Sequence, residues 1–197
     1  MRTIRLAALA IVFLIPICAI GQPDTSGTAQ TQQIPAPQPI QEHDGWFKWN
    51  PITLALFGAG IAALFAGIGS AVGCTIAGGM AAGGLQEKPE LFGRFLPLAA
   101  APGTQGVYGF VVTVLILNRI GAGLTIDTGW QLFFAGIPVG FAGLISAIYQ
   151  GKVCASSIGL VVKDPQQLGK SLVFPALVEF YAILGLLCSV LMLNKIG

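Results

Sequence analysis

Residues 172–193 read LVFPALVEFYAILGLLCSVLML. As an α-helix rising about 1.5 Å per residue, this stretch is long enough to cross the roughly 30 Å hydrocarbon layer of a bilayer. It holds one charged residue, Glu179, about a third of the way in from Leu172. The other seven acids, Asp24, Glu42, Asp44, Glu87, Glu90, Asp127 and Asp164, fall in tails or between apolar runs. A carboxylate inside a membrane span costs roughly 3 kcal/mol on insertion scales and normally marks an ion or proton path. The plainer reading is a protonated acid hydrogen-bonded to a neighbouring helix.

Composition extends the membrane reading to the whole chain. Of 197 residues, 54% are hydrophobic and 9% charged, against about 25% charged in soluble domains. The net charge of +2 is small and dispersed. With no basic cluster, aromatic platform or phosphate-binding loop, nucleic acid and nucleotide are excluded as ligands, and no catalytic constellation is visible. The four cysteines (Cys18, Cys74, Cys154, Cys188) lie in apolar runs without CxxC spacing. They read as buried free thiols rather than a disulfide or metal site. His43 stands in a polar tail with no second ligand.

At the N-terminus, Arg2 and Arg5 precede an apolar run from Leu6 to Ile20, with small Ala19 and Gly21 before Gln22. Residues 1–21 have the layout of a signal peptide, with an uncleaved anchor as the competing reading. Residues 22–50, rich in Gln, Pro, Thr and Ser, read as a disordered exported linker. It ends in an aromatic collar of Trp46, Phe47 and Trp49 at a membrane–water boundary.

Four apolar segments follow, about 52–85, 95–117, 130–162 and 171–193. They are expected to form two hairpins, over 51–118 and 119–197. Lys88, Arg94, Lys152, Lys163 and Lys170 lie toward the two hairpin turns, against Lys48, Arg119 and Lys195 on the opposite side. Positive-inside counting puts the turns in the cytoplasm and both termini outside.

The hairpins repeat each other. Gly67-Ile-Gly-Ser-Ala71 recurs as Gly143-Leu-Ile-Ser-Ala147. Lys88-Pro89 with Gly93-Arg94 recurs as Asp164-Pro165 with Gly169-Lys170, always 76 residues on. Two parallel copies of one helical hairpin are the simplest account. Glu179 then falls, within a residue or two, where the first copy has Gln105. The first helix carries Gly58, Gly60, Gly67, Gly69, Gly73, Gly78, Gly79, Gly83 and Gly84. That density fits either a tight four-helix bundle or a ring in which such helices pack side by side.

Three polar clusters interrupt the apolar segments: Pro102-Gly-Thr-Gln-Gly-Val-Tyr-Gly-Phe110, Gln150 within Ser146-Ala-Ile-Tyr-Gln-Gly151, and Glu179 followed by Tyr181. Thr104, Gln105 and Tyr108 share one helix face. Pro102 lacks an N–H, so the helix there is expected to have a backbone carbonyl to spare. A hydroxyl, two amide oxygens and one carboxylate make an all-oxygen set. Such a set suits a monovalent cation, Na⁺ before K⁺, better than Ca²⁺ or Mg²⁺. A site for H⁺ needs only the carboxyl, and each glutamine alone could be an interhelical hydrogen bond.

The segments PGTQGVYGF, SAIYQGKV and LVEFYAILG resemble the membrane-rotor proteolipid family of V-type (V/A-type) ATPases, subunit K or c, over about Leu54 to the C-terminus. Within the family they are most similar to the bacterial four-helix, sodium-carrying kind. The resemblance implies an all-α chain that assembles into a homo-oligomeric ring in the bacterial cell membrane and turns past a stator subunit. A central stalk and a soluble ATPase head are implied partners. It implies that Glu179 carries the ion, with Thr104, Gln105 and Gln150 as side-chain ligands. The backbone carbonyl of Ala101 is a further ligand by the same resemblance, and the Tyr108 hydroxyl latches Glu179. The family more often has Leu where Ala101 stands, and the N-terminal signal and tail lie outside its usual short pattern. The same rotor carrying H⁺, or a self-contained small channel, are the alternatives.

Overall fold

A computed structural model describes residues 49–196; the expectations for residues 1–21 and for most of 22–50, including Trp46 and Phe47, lie outside the described residues. Among the described residues, six α-helices form four candidate spans. The first span is α1 (Pro51–Glu87), started by Asn50, whose side chain accepts the Ile52 N–H at 2.8 Å. The second comprises a short 3₁₀ turn, α2 (Phe92–Ala100) and α3 (Thr104–Leu117), divided by a second 3₁₀ turn at Ala101–Gly103. The third is α4 (Ile126–Lys163), and the fourth runs through α5 (Leu168–Ser171) into α6 (Val173–Lys195). The chain is an all-α membrane protein of two helical hairpins.

The third helix starts at Ile126, four residues before the expected Trp130. Thr125 caps it by accepting the Thr128 N–H, and Asp127 in the first turn complements the positive end of the helix. Trp130, Phe133 and Phe134 then cluster with Trp49, whose ring centroid lies 5.2 Å from that of Trp130. The expected collar thus draws on α4 as well as on the segment before α1.

The central pair is α1 and α4, which run parallel. A Cβ on Gly58 would stand 2.6 Å from the Leu132 carbonyl, one on Gly69 2.6 Å from Leu144 Cα, and one on Gly151 2.5 Å from Gly73 Cα. The backbones meet because side chains are missing. In lipid such van der Waals packing supplies most of the association. The α1 glycines divide into two sets. Gly58, Gly69, Gly73 and Gly84 face neighbouring elements, whereas Gly60, Gly67, Gly78, Gly79 and Gly83 have nothing within 4 Å.

Each outer span packs on its own central helix in the same way. Gly109 of α3 abuts the Ala62 carbonyl and Ala66 of α1; Gly185 of α6 abuts Pro138 and Ala142 of α4. Every residue in the second set lies 76 positions after its equivalent in the first. At the turns, Lys88 Nζ donates to the Val162 carbonyl and Arg94 Nη1 to that of Pro165, tying the first turn to the second. Asp164 caps its own turn. Its carboxylate is held below the usual range by the Gln167 side-chain amide and the Gln166 N–H, with Lys170 and Arg94 adding to the effect.

Backbone polar groups inside a bilayer must be satisfied internally. Where Pro138 interrupts α4, the next N–H, of Val139, is taken by Ser189 Oγ of α6 at 3.1 Å. Where the second span breaks, the Gly106 N–H is taken by Ser70 Oγ of α1 at 2.7 Å.

Candidate functional site

The break at Ala101–Gly103 restarts the second span so that Thr104, Gln105 and Tyr108 occupy the first turns of α3. They face Gln150 at the middle of α4 and Glu179 in the second turn of α6. Gln105 and Gln150 are buried, 0% and 2% exposed, while Thr104, Tyr108 and Glu179 are half-buried. Residues from three spans, far apart in the chain, therefore meet at one carboxylate.

Oε1 of Glu179 accepts from the Tyr108 hydroxyl at 2.6 Å and lies 2.8 Å from Thr104 Oγ. Oε2 accepts from Gln150 Nε2 at 2.7 Å and from Gln105 Nε2 at 3.2 Å, and lies 2.9 Å from Thr104 Oγ. Gln105 also donates to Gln150 Oε1 at 2.6 Å, and Gln150 to the Pro175 carbonyl at 3.1 Å.

Thr104 sits amid a surplus of oxygen. Its Oγ lies within 3.3 Å of four others: both Glu179 carboxylate oxygens, the Ala101 carbonyl at 3.0 Å and Gln105 Oε1 at 3.3 Å. One hydroxyl proton serves one of these at a time. The remaining lone pairs converge on a small volume, a donor set that matches a hard cation of single charge. The Ala101 carbonyl is not wholly spare, since it also accepts the Thr104 backbone N–H closing the 3₁₀ turn. Gln150 presents its nitrogen to Glu179, and its oxygen is turned to Gln105.

All six residues expected at the site are brought together. Tyr181 is not: it is 66% exposed and rests edge-on against Phe180. Two participants were missed, Ser70, which anchors the start of α3, and the Pro175 carbonyl, which orients Gln150. Ser70 does fall within the repeated Gly67–Ala71 segment, and that repetition was the available signal.

Comparison with known proteins bears on the same elements. The family profile of the ATP synthase C subunit matches residues 57–116 and again residues 133–192, once in each hairpin. The chain is 41% identical over 141 residues to the V-type sodium ATPase subunit K of Enterococcus hirae, covering 72% of this chain and 90% of that protein. It is 42% identical over 144 residues to the A-type ATP synthase subunit K of Methanocaldococcus jannaschii, covering 73% of this chain and 63% of that one. Identity to the 16 kDa proteolipid of the V-type proton ATPase of Ovis aries is 26% over 142 residues, 72% of this chain and 91% of the other. Two profile matches set at the repeat spacing, together with relatives above 40% identity, place the chain in the ATP synthase C-subunit family, as a proteolipid of the V-type ATPase subunit K kind.

Proposed function

We propose that this chain is the ion-carrying subunit of a rotary V-type ATPase, binding one Na⁺ per copy at Glu179 and moving it across the bacterial cell membrane. The observation that carries this reading is the convergence of Thr104, Gln105, Tyr108 and Gln150 on the one carboxylate inside a span. The 41% identity to a protein whose name specifies sodium supports Na⁺ over other cations. In this reading Glu179, Thr104, Gln105, Gln150 and the Ala101 carbonyl ligate the ion, with the Gln150 carboxamide turning its oxygen inward. Tyr108 holds Glu179 in place. Na⁺ neutralises the carboxylate, so the loaded site faces lipid without the cost of a bare charge.

Copies assemble into a ring that turns past a membrane stator, where a fixed cation displaces Na⁺ from Glu179. A central stalk couples the ring to a soluble ATPase head; this chain itself performs no chemistry. The unpartnered small-residue stripe Gly60, Gly67, Gly78 on α1, opposite the face that packs on α4, supports assembly through the central helices. The lysine and arginine bias supports cytoplasmic turns and external termini.

Labelling of the purified complex with a hydrophobic carbodiimide, which attacks a protonated carboxyl in apolar surroundings, tests the site. Labelling of Glu179 that Na⁺ suppresses in competition with H⁺ is the expected result. Labelling that ignores Na⁺ at every pH makes this a proton carrier, as the name of the sheep relative specifies for that protein. No labelling of Glu179 removes it from the ion path.

A further inference from the structure

Within one chain the first hairpin touches the second, and the 76-residue repeat gives each such contact a counterpart that the second hairpin can make only with another copy. A heterologous contact of this type, repeated through a rotation that closes, makes a ring. Three independent features match that counterpart.

The first is a groove of about 490 Å³ between α4 and α6, lined by Val153, Ser157, Leu160, Phe174, Leu177 and Val178. The equivalent place in the first hairpin, around Ala77, Ala81 and Leu98, is filled by Cys154, Ile158 and Val161 of α4. Set back by 76, the fillers are Gly78, Ala82 and Leu85 of α1. A Cβ on Gly78 would meet nothing within 4 Å and Ala82 is exposed, while Leu85 packs partly buried against the chain's own core and stays partly exposed.

The second is size. The open groove has Val153 where the filled one has Ala77, Leu160 where it has Gly84, and Phe174 where it has Leu98. Two of its three occupants shrink to match, Gly78 for Cys154 and Ala82 for Ile158, while Leu85 stands for the slightly smaller Val161. Larger walls meet a smaller insert, which conserves packed volume as close packing requires.

The third is a pair of cation-to-carbonyl links. Arg94 donates to the Pro165 carbonyl at 2.5 Å, and Arg119 to that of Ile196 at 2.8 Å at the other end of the hairpins. The counterparts are Lys170 to Pro89 and Lys195 to Ile120, so a cation stands at each position where a donor is needed. Both lysines are exposed. The third link in the chain, Lys88 to Val162, has Asp164 as its counterpart, which cannot donate and instead accepts from Gln166 and Gln167.

From these we infer that the α4–α6 groove of one copy receives Gly78, Ala82 and Leu85 of the next, with Lys170 latched on the Pro89 carbonyl at the turn end of the hairpins and Lys195 on that of Ile120 at the opposite end. The inference rests on the ring reading above and specifies its interface.

Two measurements on the full-length protein, purified as it assembles, test it. Gly84 meets Val162 within the chain, so its counterpart pairs Leu160 of one copy with Gln86 of the next. The variant Gln86→Cys/Leu160→Cys, oxidised in the membrane, is expected to give a ladder of linked copies beyond the dimer. Neither single variant nor the unsubstituted protein should do so. In parallel, Lys170→Gln/Lys195→Gln is expected to lower the temperature at which the oligomer falls apart in detergent by several degrees, with Lys170→Arg/Lys195→Arg restoring it and Lys152→Gln leaving it unmoved. An oligomer of unchanged stability that yields no ladder overturns this interface while leaving the ring intact. A protein that is monomeric before any substitution overturns the ring reading, and the interface with it.

Discussion

Tyr108 touches the carboxylate without being one of the proposed ion ligands. Its hydroxyl donates to Glu179 Oε1 at 2.6 Å, so its loss leaves the proposed ligands in place. A hydrogen bond to a charged group contributes about 1.5–3 kcal/mol. If that bond holds Glu179 closed over the ion, Tyr108→Phe should speed Na⁺ release about ten- to a hundredfold with little effect on assembly. Washout of bound ²²Na⁺ from the purified oligomer measures the rate, and an unchanged rate removes Tyr108 from any latching role. Thr104 differs in kind. Its Oγ bridges the carboxylate, a carbonyl and an amide oxygen, so its removal disperses the cluster rather than loosening one edge.

At the scale of elements, the glycines of α1 separate two functions that look alike in sequence. A Cβ on Gly73 would collide with the Ala147 carbonyl and with Pro102, the residue that breaks the second span. Gly73→Leu should therefore part α1 from α4 and displace Thr104, losing both assembly and Na⁺-protected labelling. Gly60 has open space around it, but its counterpart Gly136 presses on the Gly58 carbonyl. Gly60→Leu should leave the single chain folded and block its association with the next copy, giving helical monomers by native mass in detergent. Intact oligomers from Gly60→Leu would show that this stripe faces lipid or the ring's interior. The density of glycine was plain in the sequence; its division into two faces was not, because it depends on where α4 lies. Likewise Pro102 announced the break, whereas Ser70, which holds the restarted helix by the Gly106 N–H, reads in sequence as one more small residue. Thr125 moved the start of α4 because a cap acts before the apolar run that marks a span.

Over the described residues the chain is two copies of one hairpin, with the Glu179 carboxylate held between them. At the repeat spacing the counterpart of Glu179 is Gly103, which belongs to the 3₁₀ turn, and the polar residues just beyond it are Thr104 and Gln105. The first hairpin thus supplies Thr104, Gln105 and Tyr108 as partners, and the second supplies the charge together with Gln150. A second cation in the same chain would lie in the span without a balancing acid, at a cost that insertion scales put at about 2.5–3.5 kcal/mol or more. Equilibrium binding of ²²Na⁺ to the purified oligomer should accordingly saturate at one ion per chain, and Glu179→Gln should abolish all of it. In the proposed rotor this stoichiometry sets the coupling. Each ion crossing contributes about 2.3 kcal/mol per 100 mV, so several must cross for every ATP. A double hairpin with one acid moves half the charge per turn of a ring with the same number of hairpins and an acid in each. Saturation at two ions per chain would require a site in the first hairpin built from neutral oxygens alone. Neutralisation of Glu179 would then no longer explain how a loaded site passes through lipid.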